Sequence, residues 1–351
     1  MKSKKTLAIV FIALCTLLEA CSRMPIYQVN LNTPICSNIP GSTCDWMSQL
    51  LQANPSKHLS LADICLPGSH DAAMYMNQHC TAFANTGNTQ TQYLPMKQQL
   101  ESGLRIFDIR PWYEDGRFYT HHSTHCDGLG CKGDMLINIL HATREFLDTH
   151  HELVILQISH PCHTSASDSV LLSLLAATLG DRIYRETKPA NVPFIQVPLQ
   201  DLLPADGKTG KVLITIEGAE NNAATRAKGI FNDNILPTAG GWTNDNKLPL
   251  LEEHQRKNLS AYQGNGSALY TLAWQITQHN EEALRSALAP HARASIRHGA
   301  YRANQAFPAF LDSLIKTGNI RKGKIPNIIW SDFVDTAVTK QCMKLTKLNV
   351  E

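Results

Sequence analysis

The sequence predicts an α/β fold built on a parallel sheet, either closed into a barrel or left open. Three observations lead there. Short runs rich in Ile, Val and Leu recur along the 351 residues, each bounded by a turn or a polar cluster. Segments of helical period lie between several of them. Hydrophobic residues at 43% and charged residues at 18%, with no low-complexity tract or internal repeat, are ordinary for a globular chain. Strands buried on both faces read as continuous apolar runs, and parallel neighbours need helical crossovers. Length alone allows roughly one to three domains. A single large one accommodates the pattern.

The chain opens on a targeting segment. MKSKK supplies a positive start, TLAIVFIALCTLL an apolar run too short to span a bilayer comfortably, and LEAC follows. Leu18-Glu19-Ala20-Cys21 resembles the bacterial lipobox, whose cysteine carries the lipid, although Glu19 is an unusual second residue. Cleavage without lipidation is the even alternative. Residues 1–20 are therefore expected to be a signal peptide, residues 21–57 an N-terminal extension and residues 58–351 the folded body. The protein is expected to be exported, as a periplasmic or outer-membrane lipoprotein or as a secreted protein. Three of the 32 basic residues and one of the 30 acidic ones lie in the first twenty, so the remainder is neutral. Without a basic run, nucleic acid is excluded as the main partner.

The expected strands are LADICLPG (61–68), LRIFDIRPW (104–112), RFYTHHS (117–123), LVILQISH (153–160), KVLITIEG (211–218), ALYTLAWQIT (268–277) and IPNIIWSDFV (325–334). Helical period marks LPMKQQLESG before the second, GDMLINILHATREFLDTH before the fourth and DSVLLSLLAATLGDRIY after it. The stretch from Asn280 to Thr317 reads as one or two helices. Residues 219–266, rich in Asn, Gly and Pro, read as an elaborated loop over one end of the core. Setting aside Cys15 and Cys21 leaves cysteines 36, 44, 65, 80, 126, 131, 162 and 342, an even set that in an exported chain predicts disulfides. The local pairs Cys36–Cys44 and Cys126–Cys131 are the first expected. Zinc is the weaker reading, since Cys126 and Cys131 are widely spaced and no second close pair follows.

Polar residues of catalytic type fall at or near strand ends: His70 and Asp71 after the first run, Asp108 and Arg110 in the second, His121 and His122 in the third, and Asp332 in the last. Carboxyl ends of parallel strands converge on one crevice. Two histidines can act as base and acid, and an arginine fork binds the oxygens of a phosphoryl group, so the set suggests phosphodiester chemistry without a metal. Each residue also has a bland reading. A histidine at a strand end is more often structural, Arg110 can simply pair with Asp108, and Asp332 can cap the next element.

LPGSHDAAM, followed by GLRIFDIRPWYEDGRFYTHHS, resembles the catalytic X region of the phosphatidylinositol-specific phospholipases C, especially the small bacterial enzymes. Weaker similarity runs through REFLDTHHELVILQISH to SDFVDT, spanning roughly residues 58–340. The resemblance implies an irregular TIM-like (β/α) barrel with a loop insertion, acting as a monomer on phosphatidylinositol or a related phospholipid at a membrane surface, with no cofactor. It implies that His70 is the general base toward the inositol 2-hydroxyl, that Arg110 neutralises the phosphate, and that His122 protonates the leaving diacylglycerol oxygen. Asp71 would support His122 and Arg110, and Asp332 would orient His70. The products would be diacylglycerol and inositol 1,2-cyclic phosphate. Calcium-dependent relatives carry a carboxylate where this chain has Arg110, which implies metal independence. With both histidines starting from about 6.5, the expected rate profile is a bell near neutrality.

The chain departs from the family where further basic residues at later strand ends are expected. Those strands end here in QISHP and ITIEG, so Asp108, His160 and Glu217 become the candidate substrate contacts. Trp242 in AGGWTN is read as a packed anchor rather than a membrane probe. Other readings are a phosphodiesterase of the same fold acting on another glycerophospholipid or glycerophosphodiester, and a non-catalytic lipid-binding lipoprotein. The first lacks its expected metal-binding motifs here, and the second would have lost His70 or His122. A serine triad through Ser69 lacks a nucleophile elbow.

Overall fold

Eight short strands, each parallel to its neighbours, make one curled sheet, and a three-stranded antiparallel ribbon rides beside it. The structure, a computed structural model, describes residues 42–162, 165–186, 192–264 and 266–351. The signal segment, Cys21 and Cys36 lie outside the described residues. In chain order, α1 (Trp46–Ala53) precedes β1 (Leu66–Ser69), and α2 (Met96–Glu101) leads into β2 (Ile106–Ile109). The ribbon follows as β3 (Pro111–Glu114), β4 (Arg117–Ser123) and β5 (Gly130–Met135). Then come α3 (Leu136–Leu147), β6 (Leu153–Ile158), α4 (Ser165–Leu179), β7 (Lys211–Ile216), β8 (Ile230–Asn232) and β9 (Thr238–Gly241). The chain ends through α5 (Leu248–Ala261), β10 (Leu269–Trp274), α6 (Asn280–Leu288), α7 (Ile296–Lys316), β11 (Ile328–Ser331) and α8 (Thr336–Val350). The spatial order β8-β7-β6-β2-β1-β11-β10-β9 is a barrel left open between its last-named neighbours, β8 and β9.

Alternation along the strands divides the core in two. In β6, Leu153 and Ile155 point into the barrel, where they join Leu66, Ile106, Leu213, Phe231, Leu269 and Ile328. Val154, Leu156 and Ile158 point outward to a layer that includes Leu140 of α3, Leu175 of α4, Phe307 of α7 and Leu345 of α8. Burying each such side chain is worth about 1.5–3 kcal/mol, which fixes the register, because a one-residue slip would exchange the two faces. Further along the same inward rows the chemistry changes. Ile106 is succeeded by Asp108 and Arg110, Ile155 by Gln157 and Ser159, and Ile328 by Trp330 and Asp332, all of which line one cavity. The barrel is thus apolar at its floor and polar at its mouth.

Gly68 shows why the first motif needs its glycine. A Cβ there would meet Trp330 Cε3 at 2.7 Å and the Ile329 carbonyl at 3.0 Å, so any side chain would push β1 from β11. The floor is held by a fully buried ion pair. Arg105 Nε lies 2.7 Å from Glu152 Oε2, and Glu152 Oε1 accepts from the Ser48 amide at 2.8 Å, in the first turn of α1. Burial raises the Glu152 pKa, while Arg105 and the hydrogen bonds oppose it.

Three expectations change. Residues 219–266 contain β8, β9 and the fourteen-residue α5 as well as loop. Strands of three and four residues, one ending Gly240-Gly241, carry too little periodicity to read. RFYTHHS is a strand with the expected bounds, but it belongs to the ribbon and not to the barrel. The Cys126–Cys131 pairing is wrong: Cys80 bonds Cys131 and Cys126 bonds Cys162. Cys131 lies within β5 facing the loop that carries Cys80, so sequence proximity gave the wrong partner. Cys65 and Cys342 are buried free thiols. The stretch from Asn280 to Thr317 forms two helices, α6 and α7. No helix among the described residues is long and apolar enough to cross a membrane.

Candidate active site

A cavity of about 650 Å³ opens at the carboxyl end of the sheet. His70 enters it one residue after β1, where the chain turns sharply: Asp71 has φ +42°, a left-handed conformation that costs a non-glycine residue of order 1–3 kcal/mol. The Ala72 amide, donating to the Asp108 carbonyl at 2.9 Å, helps to hold that turn. The turn buries the Asp71 carboxylate beneath His70.

His70 Nδ1 lies 2.7 Å from Asp332 Oδ1, and its Nε2 lies 3.4 Å from Asp71 Oδ2 and 3.0 Å from an Arg110 terminal nitrogen. Asp332 fixes Nδ1 as the protonated nitrogen and leaves Nε2 to face the cavity groups. Burial lowers the His70 pKa, but Asp71 and Asp332 outweigh it, even against Arg110, and lift it to about 9. Arg110 Nε lies 2.7 Å from Asp71 Oδ1, and its terminal nitrogen donates to Asp108 Oδ2 at 2.8 Å. Although burial disfavours its charge, these carboxylates hold the guanidinium above its ordinary pKa. Burial likewise pushes Asp108 up, but Arg110, His70 and a hydrogen bond from Ser159 carry it well below the usual carboxylate range.

Of the adjacent histidines only His122 lines the cavity. His121 is buried behind it, with Nε2 3.1 Å from the His160 carbonyl and its ring edge-on to Trp112, and burial lowers its pKa. Neighbours on a strand face opposite ways, so a double histidine offers one to the site. His122 Nδ1 donates to the Thr89 carbonyl at 3.0 Å, whereas Asp71 Oδ2 is 3.7 Å away. Asp71 therefore touches Arg110 closely and His122 only at ion-pair range, and the hydrogen bond that orients His122 comes from a backbone group with no side-chain signature in the sequence.

His160 lines the cavity, at φ +44°, and its amide donates to Glu217 Oε2 at 2.6 Å. Glu217 braces that turn and is not among the cavity's lining residues. The sequence reading also missed Gln92, which is fully buried. Its Nε2 donates to the carbonyls of His70 at 2.8 Å and Ser331 at 3.2 Å, and its Oε1 accepts from the Val334 amide at 3.0 Å. One side chain thereby ties the His70 turn to the segment bearing Asp332. Ser69 is fully buried and does not line the cavity, which removes it as a nucleophile. Trp242, expected to pack, is 61% exposed at the cavity edge, with its indole nitrogen donating to Thr277 Oγ1 at 2.7 Å.

His70, Asp71 and Asp108 place donor atoms within 4.8 Å of one another, close enough for a metal. The Arg110 guanidinium already contacts both carboxylates. It puts a fixed positive charge where a cation would otherwise sit.

No protein-family model matches the chain. An 81-residue stretch, 23% of this chain and 23% of the relative, is 37% identical to the 1-phosphatidylinositol phosphodiesterase of Listeria monocytogenes, so the match spans about a quarter of that relative's length. Across the whole fold, the phosphatidylinositol-specific phospholipase C of Listeria monocytogenes superposes with a TM-score of 0.60 at 20% identity, covering 86% of this chain and 98% of that one. A structure of the Staphylococcus aureus phosphatidylinositol-specific phospholipase C, described for modulation of its membrane binding, gives 0.57 at 15% identity over 88% and 98%. Motif and fold coincide: the stretch that carries the motif is similar in sequence to a bacterial phosphatidylinositol phosphodiesterase, and the chain as a whole has the fold of the bacterial phosphatidylinositol-specific phospholipases C.

Proposed function

We propose that this chain cleaves phosphatidylinositol, or a phospholipid closely related to it, to diacylglycerol and inositol 1,2-cyclic phosphate without a metal. The observation that carries this reading is the clustering in one cavity of His70 on Asp332, Arg110 between Asp71 and Asp108, and His122. In this reading the basic Nε2 of His70 takes the proton from the inositol 2-hydroxyl, whose oxygen attacks the adjacent phosphorus. Because the nucleophile belongs to the substrate, the step avoids most of the entropy cost of a bimolecular reaction. Arg110 neutralises the non-bridging oxygens as charge develops. His122, held by Thr89, gives a proton to the glycerol oxygen as its bond to phosphorus breaks. The guanidinium takes the electrostatic part that a metal would play.

Access from a membrane is part of the same reading. Phe83, Trp242, Leu284 and Leu288 are 66%, 61%, 59% and 73% exposed. Trp242 lines the cavity, as does Ala283, the neighbour of Leu284 on α6. Asn88, which lines the cavity, donates to the Phe83 carbonyl at 2.9 Å and reaches the Ala283 carbonyl at 3.5 Å, so the segments that carry Phe83 and Leu284 adjoin the cavity mouth. Apolar groups left in water beside a polar cavity suit a lipid surface. The reading also takes the protein to be exported, with Cys21 as a lipid anchor or lost with the signal.

The test is phosphorus NMR of phosphatidylinositol micelles with protein and a chelator. A cyclic phosphate resonance is expected with wild type, and a fall of about 10²-fold or more in its rate of appearance with His70→Ala or His122→Ala. No turnover of any phosphoinositide, or turnover unaffected by both substitutions, would defeat the reading.

A further inference from the structure

A second cavity, of about 340 Å³, lies behind the β11 end of the barrel, between α7, the β11–α8 connection and the loop before α2. Its wall is mostly apolar, with Phe307, Pro308, Val334 and Val338 contributing carbon surface. Asp332 points into the barrel mouth, while its neighbours Ser331 and Phe333 line this other cavity, so the two openings share a strand end but lie on opposite faces.

We propose that this cavity binds a medium-chain carboxylate, with its head group at Arg297 near the start of α7 and its hydrocarbon tail among Phe307, Val334 and Val338. The head-group assignment rests first on Arg297. Its guanidinium carbon lies 4.6 Å from the centroid of the Tyr93 ring, and no carboxylate pairs with it among the described residues. Stacking uses the face of a guanidinium and leaves its in-plane N–H edge available for a bidentate carboxylate. Arg297 stands in the first turn of a 21-residue helix, whose amide end favours an anion. Burial lowers its pKa, and no carboxylate offsets that. Asp335 also lines the cavity, but its Oδ1 caps α8 by accepting from the Ala337 amide at 2.7 Å, which sets the anion at the α7 side.

Three buried polar atoms in the wall have no protein partner: Tyr93 Oη, Ser331 Oγ and Gln341 Oε1. Ser331 is only 2% exposed, and leaving its hydroxyl without a partner costs about 1–3 kcal/mol. A cation with no carboxylate partner in a mostly apolar wall selects an anionic amphiphile over a neutral one. The volume, small for a ligand site, favours a single chain.

Isothermal titration with sodium decanoate, below its micelle-forming concentration, reads this without any catalytic assay and is therefore independent of the phospholipase reading. Saturable 1:1 binding is expected, weakened at least tenfold in Arg297→Gln and in Val338→Phe, which fills the tail region, with 1-decanol binding at least tenfold more weakly than decanoate. Thermal unfolding of each variant checks that it is folded; Arg297→Gln, at a half-buried helix end, should keep its native transition. Lack of saturable binding to wild type overturns the proposal, and so does decanoate affinity equal in wild type and Arg297→Gln, or decanol binding as tightly as decanoate.

Discussion

His70 carries two demands that pull its proton in opposite directions. As the proposed base it must be neutral, yet Asp71 and Asp332 stabilise its cation and raise its pKa to about 9. One limb of the kcat/KM profile should then lie near pH 9, away from the neutral range expected of two ordinary histidines. NMR titration of the His70 ring should give the same value, and Asp332→Asn should move both downward, since it removes one of the two raising charges. A ring titrating near 6.5 in the wild type would contradict the geometry. The stability linkage has a definite sign. A group raised from 6.5 to about 9 on folding adds stability that is fully present below pH 6.5 and is lost as pH rises through 9. At this scale the sequence was informative wherever chemistry is written in side chains: His70, Asp71, Arg110, His122 and Asp332 could all be named. It was silent on the Thr89 carbonyl, since a backbone group leaves no mark, and on Gln92, whose amide looks like any surface glutamine until it is found buried between two chain segments.

At the scale of elements, the ribbon does as much for the site as the barrel does. His122 sits opposite Cys131 in the β4–β5 register, and Cys131 is bonded to Cys80. Gln78 exchanges backbone hydrogen bonds of 2.8 Å each way with Lys132, so the loop running on to Thr89 is stitched to the strand beside His122. Replacing Cys80 and Cys131 with serine should cost about 2–4 kcal/mol in denaturant unfolding. It should also lower kcat more than it raises KM, because His122, the proposed acid, loses its alignment rather than the substrate its contacts. An unchanged kcat in the folded double variant would separate the disulfide from catalysis. The barrel floor makes a second prediction. Arg105→Ala would leave Glu152 buried and unpaired, for an expected loss of about 3–5 kcal/mol. A loss below about 1 kcal/mol would mean that water reaches the floor. Long apolar elements such as β6 and α3 were legible in the sequence because burial imposes a period on them. The short strands β8 and β9 were not, since pairing with β7 and β10 and not their own residues makes them strands.

For the whole molecule, the division of the barrel into an apolar floor and a polar mouth sets where the proposed lipid substrate would approach. The floor is closed by α1 and by Phe194 and Ile195, which pack into the interior cluster. The mouth end offers both a large cavity and exposed apolar side chains. Leu284 and Leu288 lie four residues apart on α6, hence on one face, and both stand in water in the isolated protein. Moving two leucines into a bilayer gains about 1.5–3 kcal/mol each at full burial, and every 1.4 kcal/mol is about tenfold in partitioning. The double substitution Leu284→Ser with Leu288→Ser should therefore weaken sedimentation with phosphatidylcholine vesicles by at least about tenfold. Hydrolysis of a short, water-soluble phosphodiester substrate should stay unchanged, because neither leucine lines the cavity. Vesicle binding equal to wild type would place the membrane contact elsewhere. Equal losses on vesicles and on the soluble substrate would instead show that α6 shapes the cavity itself, through Asn280 and Ala283 on its lining side.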